Sequence, residues 1–268
     1  MLPYARVPDI QLVPARLLGA RWPTHDIAIH PFGLLVAIGV WVGIGLTLRE
    51  CRRRHVPLGA IQSYLIWLLV FGFVGGHVLD LVFYCPECLV RDPGSLIRIW
   101  EGQSSIGGFI GAGLGSWAWR WRYRISTVPF AESVSSSFPA AWFFGRAGCA
   151  IVHDHPGRLS SSWLSVGYPG GARLDMGLLE ALATVPLAVA FLWLRRKPRP
   201  PGFFLGVMCT YYAPLRFALD FARARDVAAA DARYLLLTPA QWGCLGLLGV
   251  GVVSLAGARA RAARAASG

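Results

Sequence analysis

The chain has 268 residues, of which 55% are hydrophobic and 15% are charged, and its mean hydropathy is positive at +0.49. Soluble domains carry about 25% charged residues, so this composition disfavours a soluble globular protein. The net charge of +12 would suggest nucleic-acid binding in a soluble protein. Here the arginines cluster beside apolar segments, where they set membrane topology. We therefore expect a membrane protein with no nucleic-acid partner.

A proline-rich arm begins the chain. Residues 1–26 hold four prolines and three arginines. They lack the short apolar core and the small-residue cleavage site of a removable signal peptide. We interpret residues 1–28 as an arm that lies on the membrane surface.

Seven apolar blocks follow the arm, and about 20 residues are enough to cross a bilayer. The blocks lie at residues 29–48, 59–83, 105–121, 129–151, 176–194, 202–222 and 239–257. The sequence therefore predicts an all-α integral membrane protein. We expect a bundle of seven transmembrane helices within residues 29–257 and a basic tail at 258–268.

The placement of arginines predicts the orientation of the bundle. The segment "RECRRRH" follows the first block, "RRKPR" follows the fifth, and the C-terminal tail is also basic. Short basic loops stay in the cytoplasm. We expect residues 49–58 and 195–200 to face the cytoplasm, with the N-terminus outside and the C-terminus inside. The longer connections at 84–104 and 152–175 then face outward.

The cysteines give no metal signal. The motif "CPEC", Cys85 to Cys88, falls in an outward connection, and a zinc site there would need two further ligands that no second cysteine pair supplies. A loop-local disulfide and two free thiols are both favoured over a metal, and the sequence does not decide between them. The other four cysteines, including Cys149, are typical of small buried hydrophobic residues. We expect no metal and no cofactor.

The sixth block carries a polar stripe in "CTYYAPLRFALDFARARD". Tyr212, Arg216, Asp220 and Arg223 have the spacing i, i+4, i+8 and i+11, which places them on one face of a helix. Ionisable residues in a membrane span are costly and are therefore functional candidates. The alternative is that Arg216 and Asp220 pair only to fasten the bundle. The spacing leaves both interpretations open.

A second polar group lies in "FFGRAGCAIVHDHPGR", residues 143–158. Arg146 lies at the outer end of the fourth block, and His153, Asp154 and His155 follow it. Pro156 and Gly157 then predict a turn. Loop histidines are usually solvated, and no further feature supports metal binding by the three adjacent residues.

Arg146 and Arg216 together suggest an anion site. Buried arginines without matching carboxylates suit a phosphate, because a guanidinium binds its oxygens through two parallel hydrogen bonds. In a membrane the nearest phosphate belongs to a phospholipid. Glu132 and Glu180 lie in neighbouring blocks and are possible counter-charges, but spacing does not identify their partners.

The stretch "WEGQSSIGGFIGAGLG" combines polar residues with glycines. Gly107 and Gly108 lie at the outward entrance of the third block, where they are candidates to line a site. The later glycines favour close helix packing.

These stretches, taken in order, resemble the bacterial prolipoprotein diacylglyceryl transferases. "FGRAGCAIVHDHPG" is similar to that family's Gly-Arg-x-Gly-Asn signature, and "WEGQSSIGGFIGA" to its tryptophan and Gly-Gly-x-Ile-Gly stretch. "IHPFGLLVAIGVWVG", "GGHVLDLVFY" and "YAPLRFALDFAR" resemble its first, second and late spans. The resemblance covers residues 29–226. It implies a seven-span enzyme of the bacterial inner membrane.

The resemblance also implies a reaction and its partners. Such enzymes move the diacylglyceryl group of phosphatidylglycerol to the lipobox cysteine thiol beside the signal peptide of a prolipoprotein, within the membrane lipids. Arg146 and Arg216 would act as catalytic residues that hold the lipid phosphate. The substrate-binding positions implied by the resemblance are Arg146, Arg216, Tyr212, Gly157, Asp154, Cys149, Gly107 and Gly108.

Several positions depart from the family pattern. Ile106 stands where the family has a histidine before the Gly-Gly pair, Phe32 replaces a tyrosine, and Cys149 replaces the signature asparagine. His153 and His155 are the candidates to replace the missing base. The alternative function is a non-catalytic phospholipid-binding protein that retains the fold.

Overall fold

The computed structural model describes residues 1–5, 7–13, 27–99, 102–227 and 230–267. Helices dominate these ranges, and seven of the described helices have 18 residues or more. They are α1 (Pro31–Arg53), α2 (Leu58–Phe83), α4 (Ser105–Tyr123), α5 (Val128–Val152), α6 (Met176–Leu194), α7 (Phe203–Asp220) and α8 (Pro239–Ser267). A short helix α3 (Pro86–Arg91) and a 3-10 helix (Pro93–Ile97) connect α2 to α4.

Four of the described helices, α1, α2, α6 and α8, are long and apolar enough to cross a membrane. Large apolar side chains on these helices remain exposed, including Trp41, Ile66, Val189 and Val253. Lipid tails, unlike water, are a favourable environment for such side chains. The helical membrane-protein class predicted from composition is confirmed.

Five short strands accompany the helices. Strands β1 (Ile10–Val13) and β2 (Ile27–Ile29) pair antiparallel. Strands β3 (Pro156–Leu159), β4 (Val166–Tyr168) and β5 (Gly171–Asp175) form an antiparallel sheet in the order β3-β5-β4. The predicted turn at Pro156 and Gly157 is wrong, because both residues belong to β3. Half of the arm at 1–28, residue 6 and residues 14–26, lies outside the described residues.

The chain divides into two compact units. The first, called the signature unit, comprises residues 1–45, 137–193 and 222–227; the second, called the capping unit, comprises 46–136, 194–221 and 228–268. Small residues allow close packing inside the signature unit. A Cβ on Gly39 would lie 2.7 Å from the Ala141 carbonyl oxygen, and one on Gly177 would lie 2.8 Å from the Cys149 carbonyl carbon.

The capping unit packs α2 against α4 through glycines. A Cβ on Gly107 would lie 2.5 Å from the Gly75 carbonyl oxygen, and one on Gly115 would lie 2.7 Å from that of Trp67. The packing interpretation of the later glycines is confirmed for Gly115, and Gly107 serves the same purpose. A Cβ on Gly108 would make only an ordinary contact, 3.8 Å from the Gly72 carbonyl oxygen. Trp100 and Glu101, before this helix, lie outside the described residues.

Cys85 and Cys88 form a disulfide in the connection after α2. Of the two alternatives that the sequence left open, the structure has the loop-local disulfide. Disulfides persist in oxidising compartments. The bond therefore agrees with an outward location for residues 84–104.

Candidate lipid-phosphate and acceptor-thiol site

The C-terminal end of α5 carries the predicted site residues of the signature unit. The helix continues to Val152, and the His153 N–H still bonds the Cys149 carbonyl at 3.0 Å. His153 then adopts a left-handed conformation with φ of 53°. A residue of this conformation after a helix reverses the chain. The following residues, Asp154 and His155, therefore return toward Cys149.

Arg146 is buried about two turns before this reversal. Its Nε lies 3.1 Å from Glu180 Oε2 in α6, and its guanidinium carbon lies 4.5 Å from the centre of the Trp142 ring. Glu180 and Arg146 are 1% and 5% exposed, so the pair is shielded. Arg146 therefore has a matching carboxylate. The sequence identified Glu180 as a possible counter-charge, and the structure assigns it to Arg146.

Cys149, Asp154 and His155 form a compact cluster beside this pair. One potential ligand atom from each residue lies within 4.8 Å of the other two. Burial raises the pKa of Asp154 to about 6, and the nearby Arg146 charge opposes that rise. Because 41% of the Asp154 side chain is exposed, solvent weakens the effect. The cluster thus joins a buried thiol to two partly accessible polar groups.

A backbone pairing places Arg223 beside His155. The Arg158 N–H donates to the Ala222 carbonyl at 2.7 Å, and the Ala224 N–H donates to the Pro156 carbonyl at 3.2 Å. Residues 222–224 therefore extend the sheet next to β3. Arg223 Nη2 lies 3.3 Å from His155 Nδ1, and His155 Nε2 lies 3.7 Å from Asp154 Oδ1.

Gly157 is required by this pairing. A Cβ there would lie 2.8 Å from the Leu174 carbonyl oxygen and 2.9 Å from that of Ala222. Neither neighbour is a flexible side chain that can move away. The structure therefore gives Gly157 a packing role between two backbone segments, and any contact with a substrate would come in addition.

His153 has a different environment from His155. Its Nδ1 lies 2.6 Å from Asp175 Oδ2, and the Tyr168 hydroxyl donates to the same oxygen at 2.8 Å. Asp175 Oδ1 accepts the Leu178 N–H at 2.9 Å, which caps the start of α6. The Tyr4 ring stacks on His153 with a centroid distance of 4.7 Å. This network holds His153 in place. The sequence analysis missed Tyr4, Tyr168 and Asp175, because their positions along the chain do not show that they contact His153.

The capping unit holds Arg216 in a closed polar network. Arg216 pairs with Asp220 one turn later, and the Thr238 hydroxyl donates to the second Asp220 oxygen. Arg216, too, has a carboxylate partner, so neither of the two arginines is without a counter-charge. The pairing alternative is the arrangement that the structure shows.

Thr238 also starts α8. The Gln241 N–H donates to Thr238 Oγ1 at 3.1 Å, and the Thr238 N–H donates to Gln241 Oε1 at 3.0 Å. This reciprocal pair is a capping box, and "TPAQ" is its sequence signature, with proline in the first turn. The motif was present in the sequence and would have predicted the start of α8, but not the contact of Thr238 with Asp220.

The remaining predicted residues of the capping unit lie in largely apolar surroundings. Tyr212 is buried, and its ring meets Phe109 edge-on at 6.1 Å. Ile106 is buried in a cluster with Ala213, Ala240 and Cys244. The position that carries a histidine in the resembled family is thus surrounded here by apolar side chains. Glu132, the other possible counter-charge, accepts the Gly202 and Phe204 N–H groups and caps α7.

The long apolar helices and buried arginine–carboxylate pairs define a multi-pass α-helical membrane protein. A family model described as prolipoprotein diacylglyceryl transferase matches residues 22–256. The chain belongs to this family.

Individual relatives carry the corresponding enzyme name. The chain is 30% identical to a phosphatidylglycerol–prolipoprotein diacylglyceryl transferase of Chromohalobacter salexigens over 74% of this chain and 76% of the relative. It is 28% identical to the enzyme of the same name from Methylococcus capsulatus, over 88% of this chain and 93% of the relative. It is 26% identical to the one from Cereibacter sphaeroides, over 83% of this chain and 84% of the relative.

Proposed function

We propose that this protein transfers the diacylglyceryl group of phosphatidylglycerol to the lipobox cysteine of a prolipoprotein in the bacterial inner membrane. The observation that carries the proposal is the family match over residues 22–256, which includes the Arg146 signature. The relatives that share this name align with most of the chain, and the chain with most of each relative. The match is therefore not confined to a single motif.

The proposed enzyme spans the membrane seven times with its N-terminus outside. In support of this topology, Arg53 Nη1 donates to the Arg195 carbonyl at 2.7 Å, and Arg195 Nη2 lies 3.3 Å from Glu50 Oε2. Within the capping unit, the basic segments at 49–58 and 195–200 therefore meet. Segments that are in contact share one side of a membrane, as the proposed topology requires of these two.

Arg146 and Arg216 are proposed to bind the lipid phosphate. A guanidinium offers five N–H donors, more than one carboxylate can accept. A carboxylate partner therefore does not by itself exclude a phosphate contact. Displacement of the phosphate adds negative charge to the leaving group, and fixed guanidinium groups stabilise that charge. The further substrate-binding positions are Tyr212, Gly157, Asp154, Cys149, Gly107 and Gly108.

Between the two candidate bases, the local contacts favour His155. His155 lies in the cluster with Cys149 and Asp154, and 31% of its side chain is exposed. His153 is committed to Asp175 through Nδ1 and is covered by Tyr4. The thiolate is the nucleophile in such a reaction, so the acceptor thiol must lose its proton.

The second candidate function, phospholipid binding without transfer, is favoured by one observation. Ile106 lies in an apolar cluster at the position where the resembled family has a histidine. No proton acceptor is available at that position. The two functions share the phosphate site and differ in chemistry.

Complementation separates them. The wild-type gene and an Arg146→Lys variant are expressed in cells depleted of their own transferase, and the mass of a reporter lipoprotein is followed. The enzyme hypothesis predicts diacylglyceryl addition with the wild type and its loss with Arg146→Lys, because lysine lacks the bidentate fork. Arg158→Lys, a conservative change on the exposed surface of β3, is the matched control. A stable, membrane-inserted wild type that adds no lipid supports the binding protein.

A further inference from the structure

We propose that Cys149, Asp154 and His155 form a zinc-class metal site whose open fourth position takes the acceptor cysteine thiol. This inference rests on the proposed transferase function for its substrate. The metal site itself stands on separate observations from the signature unit. In the described residues, this is the one group of three cysteine, histidine or acidic side chains with ligand atoms close enough to share an ion.

The local backbone brings the three ligands together. The left-handed conformation of His153 turns the chain immediately after α5, so that residues five and six positions beyond Cys149 return to it. Neighbouring ligand atoms in a tetrahedral zinc site lie roughly 3.3–3.8 Å apart, given bond lengths of about 2.0–2.3 Å. Ligand atoms that already lie within 4.8 Å need only a side-chain adjustment of roughly 1 Å. Asp154, with 41% of its side chain exposed, has room for that adjustment.

The ligand chemistry suits a borderline divalent metal. One thiolate, one imidazole and one carboxylate are zinc ligands, and three protein ligands leave a position open for a substrate. A thiolate and a carboxylate together neutralise the two positive charges of the ion. Of the arginines nearby, Arg146 is paired with Glu180, so its charge is balanced.

Arg223 must move when the metal binds. Coordination through His155 Nε2 places the remaining proton on Nδ1, which then cannot accept a hydrogen bond from Arg223. The present contact between Arg223 Nη2 and His155 Nδ1 is long, at 3.3 Å. Metal binding therefore exchanges one weak contact for a coordination bond and directs the Arg223 guanidinium elsewhere.

A metal here would take over the deprotonation of the acceptor thiol from His155, because His155 as a metal ligand no longer acts as a base. Ile106 has no acid–base chemistry and is buried among apolar residues. A coordinated thiol is deprotonated by the ion itself, without a nearby general base. The substitution of Cys149 for the asparagine of the resembled family supplies the softest of the three ligands.

The transfer at this site forms one carbon–sulfur bond and breaks one carbon–oxygen bond. The acceptor thiol binds at the fourth position and releases its proton to solvent. Its sulfur then forms a bond to the terminal glyceryl carbon of the lipid, and the bond between that carbon and the phosphate oxygen breaks. The electron pair of the broken bond leaves with glycerol phosphate, and the metal is unchanged. No oxidant or reductant is required.

Metal binding is tested on purified full-length protein in detergent, with any affinity tag removed. Cobalt(II) is the probe, because a tetrahedral cobalt–thiolate site has visible absorption bands and a charge-transfer band. We expect one equivalent to bind wild type with both features. Cys149→Ser should abolish the charge-transfer band, and His155→Gln should weaken binding at least tenfold. Cys209→Ser, a change at another buried cysteine that lies outside the cluster, is the matched control and should leave the spectrum unchanged.

Two outcomes overturn the metal site. One is binding only at millimolar cobalt, which marks an adventitious ion. The other is a spectrum that Cys149→Ser and His155→Gln both leave intact. Thermal unfolding of each variant without metal establishes that it is folded. If Cys149→Ser does not fold, His155→Gln alone tests the metal site, because the glutamine amide is similar in size to imidazole.

Activity separates this inference from the proposed function. Transfer to a lipobox peptide is measured before chelation, after chelation and after zinc is restored. Activity that falls at least tenfold and returns supports the site. Full activity in metal-free protein overturns the metal inference and leaves the transferase intact. If the protein binds one equivalent of metal but transfers no lipid, the transferase function is wrong. The proposal that the acceptor thiol is the fourth metal ligand is then wrong as well.

Discussion

Arg146 and Arg216 are both buried and both paired with a carboxylate, yet their surroundings differ. In the capping unit, Asp220 is fully buried and also accepts a hydrogen bond from Thr238 at the start of α8. In the signature unit, the charge of Arg146 acts on Asp154, whose side chain is 41% exposed. The Arg216–Asp220 pair of the capping unit thus joins two helices. The Arg146 pair of the signature unit lies beside accessible polar groups.

This difference shows that a buried ion pair is by itself weak evidence of function. Such pairs stabilise little relative to apolar replacements, but the loss of one partner is costly. What distinguishes the Arg146 region is the accessible chemistry next to the pair. If so, substitution of Arg216 should change mainly the stability, and substitution of Arg146 should change mainly the catalytic rate.

The largest expected effect is on stability at Arg216. Arg216→Met leaves the buried Asp220 carboxylate without its cation and should lower the free energy of unfolding by about 3–5 kcal/mol. The double variant Arg216→Met, Asp220→Leu should recover most of this loss. Thermal unfolding in detergent measures both. If the single variant is as stable as wild type, the closed network does not hold α7 to α8.

Activity of the same double variant sharpens the comparison. If Arg216 also binds the lipid phosphate, the double variant should be folded but should transfer at least tenfold more slowly. A folded double variant with normal transfer would restrict Arg216 to a structural role. The phosphate would then be bound without it.

The next effect is on catalysis at Arg146. Arg146→Lys keeps the charge but loses the forked donor, and one lost charge-assisted hydrogen bond is worth about 1.5–3 kcal/mol. Transfer should therefore fall by about 10- to 100-fold, since about 1.4 kcal/mol corresponds to a factor of ten. Steady-state transfer assays measure the change, and the thermal midpoint should stay close to that of wild type. A variant that is inactive only because it unfolds would contradict the assignment.

A moderate effect is expected at the capping box. Thr238→Ala removes the cap of α8 and one hydrogen bond to Asp220, so the free energy of unfolding should fall by about 0.5–2 kcal/mol. Thr238→Ser keeps the hydroxyl and is the control. Equal stabilities of the two variants would show that the hydroxyl does not join the helices.

The smallest effect is expected at the pair of Arg173, which is buried, and Asp226, whose side chain is 52% exposed. Both Arg173 terminal nitrogens bond the Asp226 carboxylate, at 2.9 and 2.6 Å. The hydrogen bond from Arg173 lowers the pKa of Asp226 below its ordinary value of 3.8. The pair therefore stabilises the fold above about pH 4 and loses this contribution as the pH falls through the lowered pKa. Asp226→Asn should reduce the thermal midpoint slightly at pH 7, and the difference from wild type should vanish in strong acid.

The apolar pattern predicted the helices well and their ends less well. The predicted block 176–194 coincides with α6, whereas α8 continues beyond the predicted 257 to Ser267. Hydropathy marks the apolar part of a helix, but alanine and arginine extend a helix regardless of polarity. The sheet at residues 156–175 was not predicted, because its strands have only three to five residues.

The individual residues of the candidate site were predicted from the sequence, but the contacts between them were not. The sequence identified Arg146, Asp154 and His155, and the resemblance added Cys149 as a substrate-binding position. Neither predicted that Cys149 lies next to Asp154 and His155. The cluster depends on a left-handed His153, and a residue other than glycine gives no sequence signal for that conformation. The partners of both arginines depend on helix packing, which spacing along one helix does not reveal.

The most direct test of the central claim uses purified wild type and Arg146→Lys with phosphatidylglycerol vesicles and a lipobox peptide. Mass spectrometry follows the peptide over time. We predict that wild type adds one diacylglyceryl group to the cysteine and releases glycerol phosphate, and that folded Arg146→Lys does so at least tenfold more slowly. A folded wild type that binds the lipid and leaves the peptide mass unchanged would contradict the claim.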